Sequence, residues 1–167
     1  MTPESEAARL LEQMGEKKLP IDVLRIARRL KVRVERADLG EGCSGVLVRT
    51  GKTAQIGVQF HHHPNRQRFT IAHELGHYCL HEGGTYVDRS TTARFRKDES
   101  GSGTEIEERE ANQFAAALLM PEKLVRAEFA KHPFDLGDDD HLRKLCRTFE
   151  VSAQAMMWRL TNLSLLD

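Results

Sequence analysis

Cysteine is scarce: the 167-residue sequence has 3, at Cys43, Cys79 and Cys146. An odd, widely scattered set builds neither a disulfide framework nor a CxxC metal knuckle. It fits a reducing compartment. Excess charge of either sign is also missing, since 25 Lys+Arg face 25 Asp+Glu. That speaks against a strongly basic nucleic-acid binder, whose affinity rests largely on phosphate contacts. No stretch approaches the roughly 18 consecutive apolar residues of a membrane span. The start, Met1-Thr2-Pro3-Glu4-Ser5-Glu6, is acidic and has no apolar run behind it, unlike an export signal. There is no internal repeat and no low-complexity tract. These absences lead to the expectation of a cytoplasmic protein with no membrane and no direct nucleic-acid contact.

What is present is ordinary globular material, 40% hydrophobic and 30% charged. The length suits one domain over 1–167. A chain of this size buries roughly 70% of its unfolded surface and needs no covalent staples. Periodicity predicts an N-terminal helix within 1–18 and a second helix at 21–30, which Pro20 is placed to open. Alternation predicts three strands near 31–37, 44–49 and 53–60, with a turn at Thr50-Gly51-Lys52. Asn65 is an N-cap candidate for a helix at 66–81. Residues 82–104 are rich in Gly, Ser and Thr and read as a long loop. Helices are expected at 105–119, 121–131, 139–149 and 152–163. The fold class is α+β, a small three-stranded antiparallel sheet surrounded by helices.

The chemistry concentrates in His73-Glu74-Leu75-Gly76-His77, an HExxH pattern. Residues four apart lie one turn apart on one helix face, so two imidazoles can share one metal ion. Glu74 can then reach a metal-bound water without being a ligand. The rest of this helix, including Phe69, Ile71, Ala72, Leu75, Cys79 and Leu80, is apolar nearly all round, which predicts burial. Burying His, Glu and His there costs several kcal/mol unless they are paired or metal-bound. Gly76 costs about 1 kcal/mol of helix propensity against Ala. A close backbone approach by another element would account for it. His81 continues the same face and is read as a helix-end cap or packing residue rather than a third ligand.

A catalytic zinc site commonly has three protein ligands. The helix at 105–119 supplies Glu107, Glu108 and Glu110 as rival acids, and Glu105 and Glu107 suit the helix dipole. Glu108 is preferred because Asn112 lies four residues on, on the same face, where it could hold a ligand histidine through its side-chain oxygen. The alanines of this helix permit close packing, with Gly76 the facing residue.

Residues 66–81, with the HExxH, and residues 108–121 resemble in that order the ImmA/IrrE zinc metallopeptidases. Ser44-Gly45 and residues 149–160 extend the likeness, which covers about residues 19–166. The resemblance implies a gluzincin-like zincin with His73, His77 and Glu108 as ligands and Glu74 as base. It implies Zn²⁺ as cofactor, with Mn²⁺ not distinguished. It also implies a protein substrate, a helix-turn-helix repressor whose cleavage relieves repression of stress or mobile-element genes. The chain has no room for the separate DNA-binding or sensor domain of some relatives, so an activating partner or metal supply is the expected trigger. Two rival readings stand beside the enzyme. One is a non-catalytic metal-binding regulator on the same fold. The other is a DNA-binding protein using 142–160, with Ser152 as N-cap; the apolar Ala155, Met156, Trp158 and Leu160 favour core packing there. His61-His62-His63 is read as a polar loop near the cleft, and Tyr78 and Tyr86 as candidate oxyanion donors.

Overall fold

The computed structural model describes residues 2–89, 104–131 and 139–166. The helix α1 (Pro3–Met14) starts at Thr2, whose side chain accepts from Ser5 N–H, and stops at Gly15, left-handed at φ 65°. Pro20 does not open the next helix. The Leu19–Pro20 peptide is cis, and α2 (Val23–Arg29) is capped by the Asp22 carboxylate, which accepts from Arg25 N–H at 2.9 Å. Pro20 therefore belongs to the connection, and a carboxylate does the capping that the free N–H groups of the first turn require.

Among the described residues the sheet has four strands, not the three expected. These are β1 (Val32–Ala37), β2 (Cys43–Thr50), β3 (Thr53–Gln59) and β4 (Thr85–Arg89), in the order β1-β3-β2-β4. It is also mixed rather than purely antiparallel, because β1 runs parallel to β3 while β2 is antiparallel to both its neighbours. The β2–β3 hairpin turns through Gly51 at φ 60°. The strand β4 falls in the stretch expected to be loop; its register sets Val46 against Val87 and Leu47 against Tyr86. A five-residue edge strand carries too few alternating positions to outweigh its Gly-rich approach, and pairing with β2 supplies its order. The remainder of the expected loop, 90–103, lies outside the described residues.

The helix α3 (Pro64–Leu80) packs between the sheet and α4 (Glu105–Leu119). Its N-cap is His63 rather than Asn65: the His63 ring nitrogen Nδ1 accepts from Asn65 N–H at 3.1 Å. Pro64 has a fixed φ and no N–H, so it takes the first helical position and puts the cap at His63, two residues before Asn65. The α3–α4 approach is close. A Cβ at Gly76 would sit 3.0 Å from Ala111 Cα and 3.1 Å from Ala111 O. Fully buried Leu75, Phe114, Leu118 and Ile56 fill the space between helices and sheet.

Three more helices follow: α5 (Glu122–Phe129), α6 (Asp139–Phe149) and α7 (Ala153–Asn162). Ser152 caps α7 by accepting from Ala155 N–H. Met156 and Leu160 are buried, and the single charge of α7, Arg159, is buried with them and donates to Met120 O at 3.0 Å. Trp158 departs from the expected core packing: it is 44% exposed. No helix among the described residues is long and apolar enough to cross a membrane.

Candidate metal centre and its cleft

Helical spacing puts His73 and His77 on one face of α3, and both side chains are buried. Their Nε2 atoms converge to 3.1 Å. From α4, Glu108 completes a triangle, with Oε2 3.4 Å from His73 Nε2 and Oε1 3.3 Å from His77 Nε2. Donor atoms bound tetrahedrally at the usual zinc distances of about 2.0–2.1 Å lie about 3.3 Å from one another. The separation of the two imidazole nitrogens and their separations from the Glu108 carboxylate, each to a different oxygen, are all close to that figure, and imidazole with carboxylate is a donor set that suits zinc. The residues present therefore fit one such ion.

The rear nitrogens of the two rings are held. His73 Nδ1 lies 3.0 Å from Asn112 Oδ1, an acceptor, so Nδ1 carries a proton and Nε2 is the atom turned toward the cluster. His77 Nδ1 lies 3.0 Å from His81 Nδ1. The other two candidate acids are engaged elsewhere. Glu107 closes a capping box with Thr104, while Glu110 Oε2 is 2.9 Å from His81 Nε2.

Electrostatics separates the groups. Burial alone would raise the Glu108 carboxyl, but hydrogen bonds and charge from His73 and His77 outweigh it and hold it at about 2. Burial pushes Glu74 the other way, to about 8; His73 opposes the rise, while the nearby Asp88 and Glu108 carboxylates add to it. Burial lowers His77, and the two neighbouring imidazoles add to that despite its contact with Glu108. For His73 burial also disfavours charge, yet Glu108, Glu74 and Asp88 together raise it. Neither carboxylate oxygen of Glu74 has a hydrogen-bond partner, although the side chain is fully buried. An ionisable group without a protein partner, lying beside three converging donors, is placed to exchange a proton with something that enters the site.

The wall of the site includes residues the sequence did not single out. Asp88 on β4 offers an oxygen within 4.8 Å of donor atoms on His73 and Glu74. The sequence of its strand has the pattern of a loop, which conceals it. Arg49 donates to the carbonyls of His77, Tyr78 and His81 at 2.9, 2.6 and 2.9 Å, closing the exposed end of α3. The Tyr86 ring stacks on His77 at 4.3 Å, and its hydroxyl donates to Glu82 O. Tyr78 instead lies beneath the Arg49 guanidinium. Gly45 is needed where it stands, since a Cβ there would meet Thr70 Cγ2 at 2.4 Å and Glu74 Oε1 at 3.0 Å. Among the described residues, His61, His62 and His63 join no cluster of three metal donors. A cavity of about 1130 Å³ opens beside Glu108 and Asn112 and runs past Phe69, Arg66 and Arg109 to Trp158.

Comparison with known proteins agrees with this geometry. Residues 27–161 match the model of the IrrE N-terminal-like domain, a peptidase family. The metallopeptidase ImmA of Bacillus subtilis is 30% identical over 95 residues, 57% of this chain and 52% of that protein. The radiation response metalloprotease IrrE of Deinococcus radiodurans is 35% identical over 100 residues, 59% of this chain and 28% of that protein. The chain thus spans about half or less of the curated relatives it matches. A solved structure described as a Mycobacterium tuberculosis transcriptional regulator superposes with a TM-score of 0.61 at 20% identity, covering 95% of this chain and 46% of that one, which is a likeness of fold. With the match extending over most of its length and taking in both helices of the candidate site, this chain belongs to the ImmA/IrrE family of metallopeptidases.

Proposed function

We propose that the chain is a zinc-dependent endopeptidase that hydrolyses a peptide bond in a protein substrate. The observation that carries this reading is the pairing of a donor triangle with edges of 3.1–3.4 Å and a buried, unpartnered carboxyl, Glu74, beside it. His73, His77 and Glu108 hold the ion, and Asn112 orients His73. When bound, zinc supplies Lewis acidity to a carbonyl and to water. Glu74 takes the proton of the attacking water and returns it to the leaving amide nitrogen. A buried carboxyl with no protein hydrogen-bond partner is free for both halves of that transfer. The cleft from Glu108 to Trp158 receives the polypeptide.

The substrate is a helix-turn-helix repressor, cut in a stress or mobile-element response in the cytoplasm, with an activating partner or zinc supply as trigger. Support for this comes from the motif resemblance and from the stress-related name of one relative. Zinc rather than manganese is favoured by the two imidazole donors. Residues 1–167 act as one peptidase domain.

The test is bound metal per chain by elemental mass spectrometry, together with cleavage of purified candidate repressors. The parent is expected to hold about one zinc, with Glu108→Ala losing it and Glu74→Gln keeping it while cleavage falls about 10²–10⁴-fold. Undiminished cleavage by Glu74→Gln would refute the mechanism. A parent that takes up no zinc would shift the reading to a non-catalytic regulator.

A further inference from the structure

The two histidines of the donor triangle are supported unequally. His73 faces a neutral amide oxygen, that of Asn112. His77 instead faces a second imidazole, which in turn faces a carboxylate on the neighbouring helix: His77 Nδ1 to His81 Nδ1 at 3.0 Å, then His81 Nε2 to Glu110 Oε2 at 2.9 Å. With His77 Nε2 serving as a metal donor, the proton on that ring would sit at Nδ1. His81 must then accept at Nδ1 and donate at Nε2, which leaves Glu110 as the ionised acceptor at the end of the chain. Every ring nitrogen in this series has one role, and the roles run in one direction.

The surroundings fix the series in place. Arg49 binds the carbonyls of both His77 and His81, so the backbone carrying the two rings is held by one guanidinium. Tyr86 stacks on His77 and lies 6.0 Å from the His81 ring. His81 is itself buried, whereas the Glu110 side chain is 40% exposed, so the relay begins at the surface and ends at the cluster.

We propose that Glu110 and His81 are positioning residues for His77: a carboxylate–imidazole–imidazole relay that locks the tautomer and orientation of one metal ligand and sets the affinity of the site for zinc. The inference rests on the reading of His77 as a ligand. Partners behind ligand histidines are typically worth 10–100-fold in metal affinity. The relay adds a link between the two helices, because α3 and its C-cap residue supply the imidazoles and α4 supplies the carboxylate as well as Glu108.

The test measures zinc affinity of the full chain by competition with a chromophoric chelator, for the parent, Glu110→Gln, His81→Leu and the double variant, with urea unfolding of the metal-free forms in parallel. Glu110→Gln is expected to weaken zinc about tenfold and His81→Leu about 10–100-fold. The double variant should match His81→Leu, because Glu110 acts through the ring that is gone. His81→Gln, whose amide oxygen can accept from His77, should recover part of the loss while leaving metal-free stability where His81→Leu leaves it. Folded variants with parental zinc affinity would overturn the relay and leave the metal centre standing. Losses that multiply in the double variant would also overturn it, showing Glu110 to act as a separate charge. A parent that binds no zinc would overturn the metal centre itself.

Discussion

Replacing Glu74 by Gln separates the charge of this side chain from its shape. In the metal-free protein the Glu74 carboxyl is pushed up from 4.5 to about 8, chiefly by burial. Between those values the unfolded chain has released the proton and the folded chain still holds it. Folding stability therefore falls as pH rises through that window, is fully present below about 4.5, and levels off above about 8. At about 1.36 kcal/mol per pH unit, the interval from 4.5 to about 8 sets a ceiling of about 5 kcal/mol, of which about 3 is reached by pH 7. Water entering the site reduces the figure, so the sign and the slope are the diagnostic quantities. Glutamine has no such proton. Its amide carries a desolvation cost of its own, but that cost does not change with pH. The assay is urea unfolding of chelator-stripped parent and Glu74→Gln from pH 5 to 8. The stability of Glu74→Gln relative to the parent should climb steadily across the range. Loading the parent with zinc should flatten its slope, because a nearby cation favours the carboxylate. Parallel curves for the two metal-free proteins would refute the reasoning, since they would mean that Glu74 ionises as freely in the folded protein as in water.

Two further predictions concern packing around the site. Gly76→Ala should destabilise the fold by about 1–3 kcal/mol despite the better helix propensity of Ala, because the new methyl meets backbone of Ala111 that cannot swing aside; a raised urea midpoint would contradict this. Gly45→Ala should lower the melting temperature by driving a methyl into Thr70 Cγ2, and adding Thr70→Ser, which removes that methyl, should restore much of the loss; simple additivity of the two changes would show that the clash is not the cause.

Much of the fold is legible in local pattern. The positions of β2, β3, α3, α4 and α7 follow from alternation, apolar periodicity and caps such as Ser152. The misses have local physical reasons. Pro64 moved the α3 cap from Asn65 to His63 because proline takes the first helical position so readily. The β4 strand was invisible because a short edge strand owes its order to hydrogen bonds with β2 rather than to its own residues. With β4 went Asp88, which the strand brings beside His73 and Glu74. The apolar pattern of α7 places Trp158 in the core, whereas the rotation of α7 leaves it on the wall of the cleft.

The division between sequence and tertiary structure is clearest on α4. Helical repeat alone sets His73 above His77 on one face of α3, and sets Glu108 one turn from Asn112. It also puts Glu110 about 200° around the helix from Glu108, so the two acids cannot enter the same donor triangle. What the repeat cannot say is which of them turns toward the histidines, since that depends on how α4 is rotated against α3. The missing side chain at Gly76 settles it. There the backbone at Ala111 comes close enough that a Cβ would crowd it, and with Ala111 so seated Glu108 faces His73 and His77 while Glu110 faces His81. The donors were written in the sequence; their assignment to separate partners was decided by one helix packing against another.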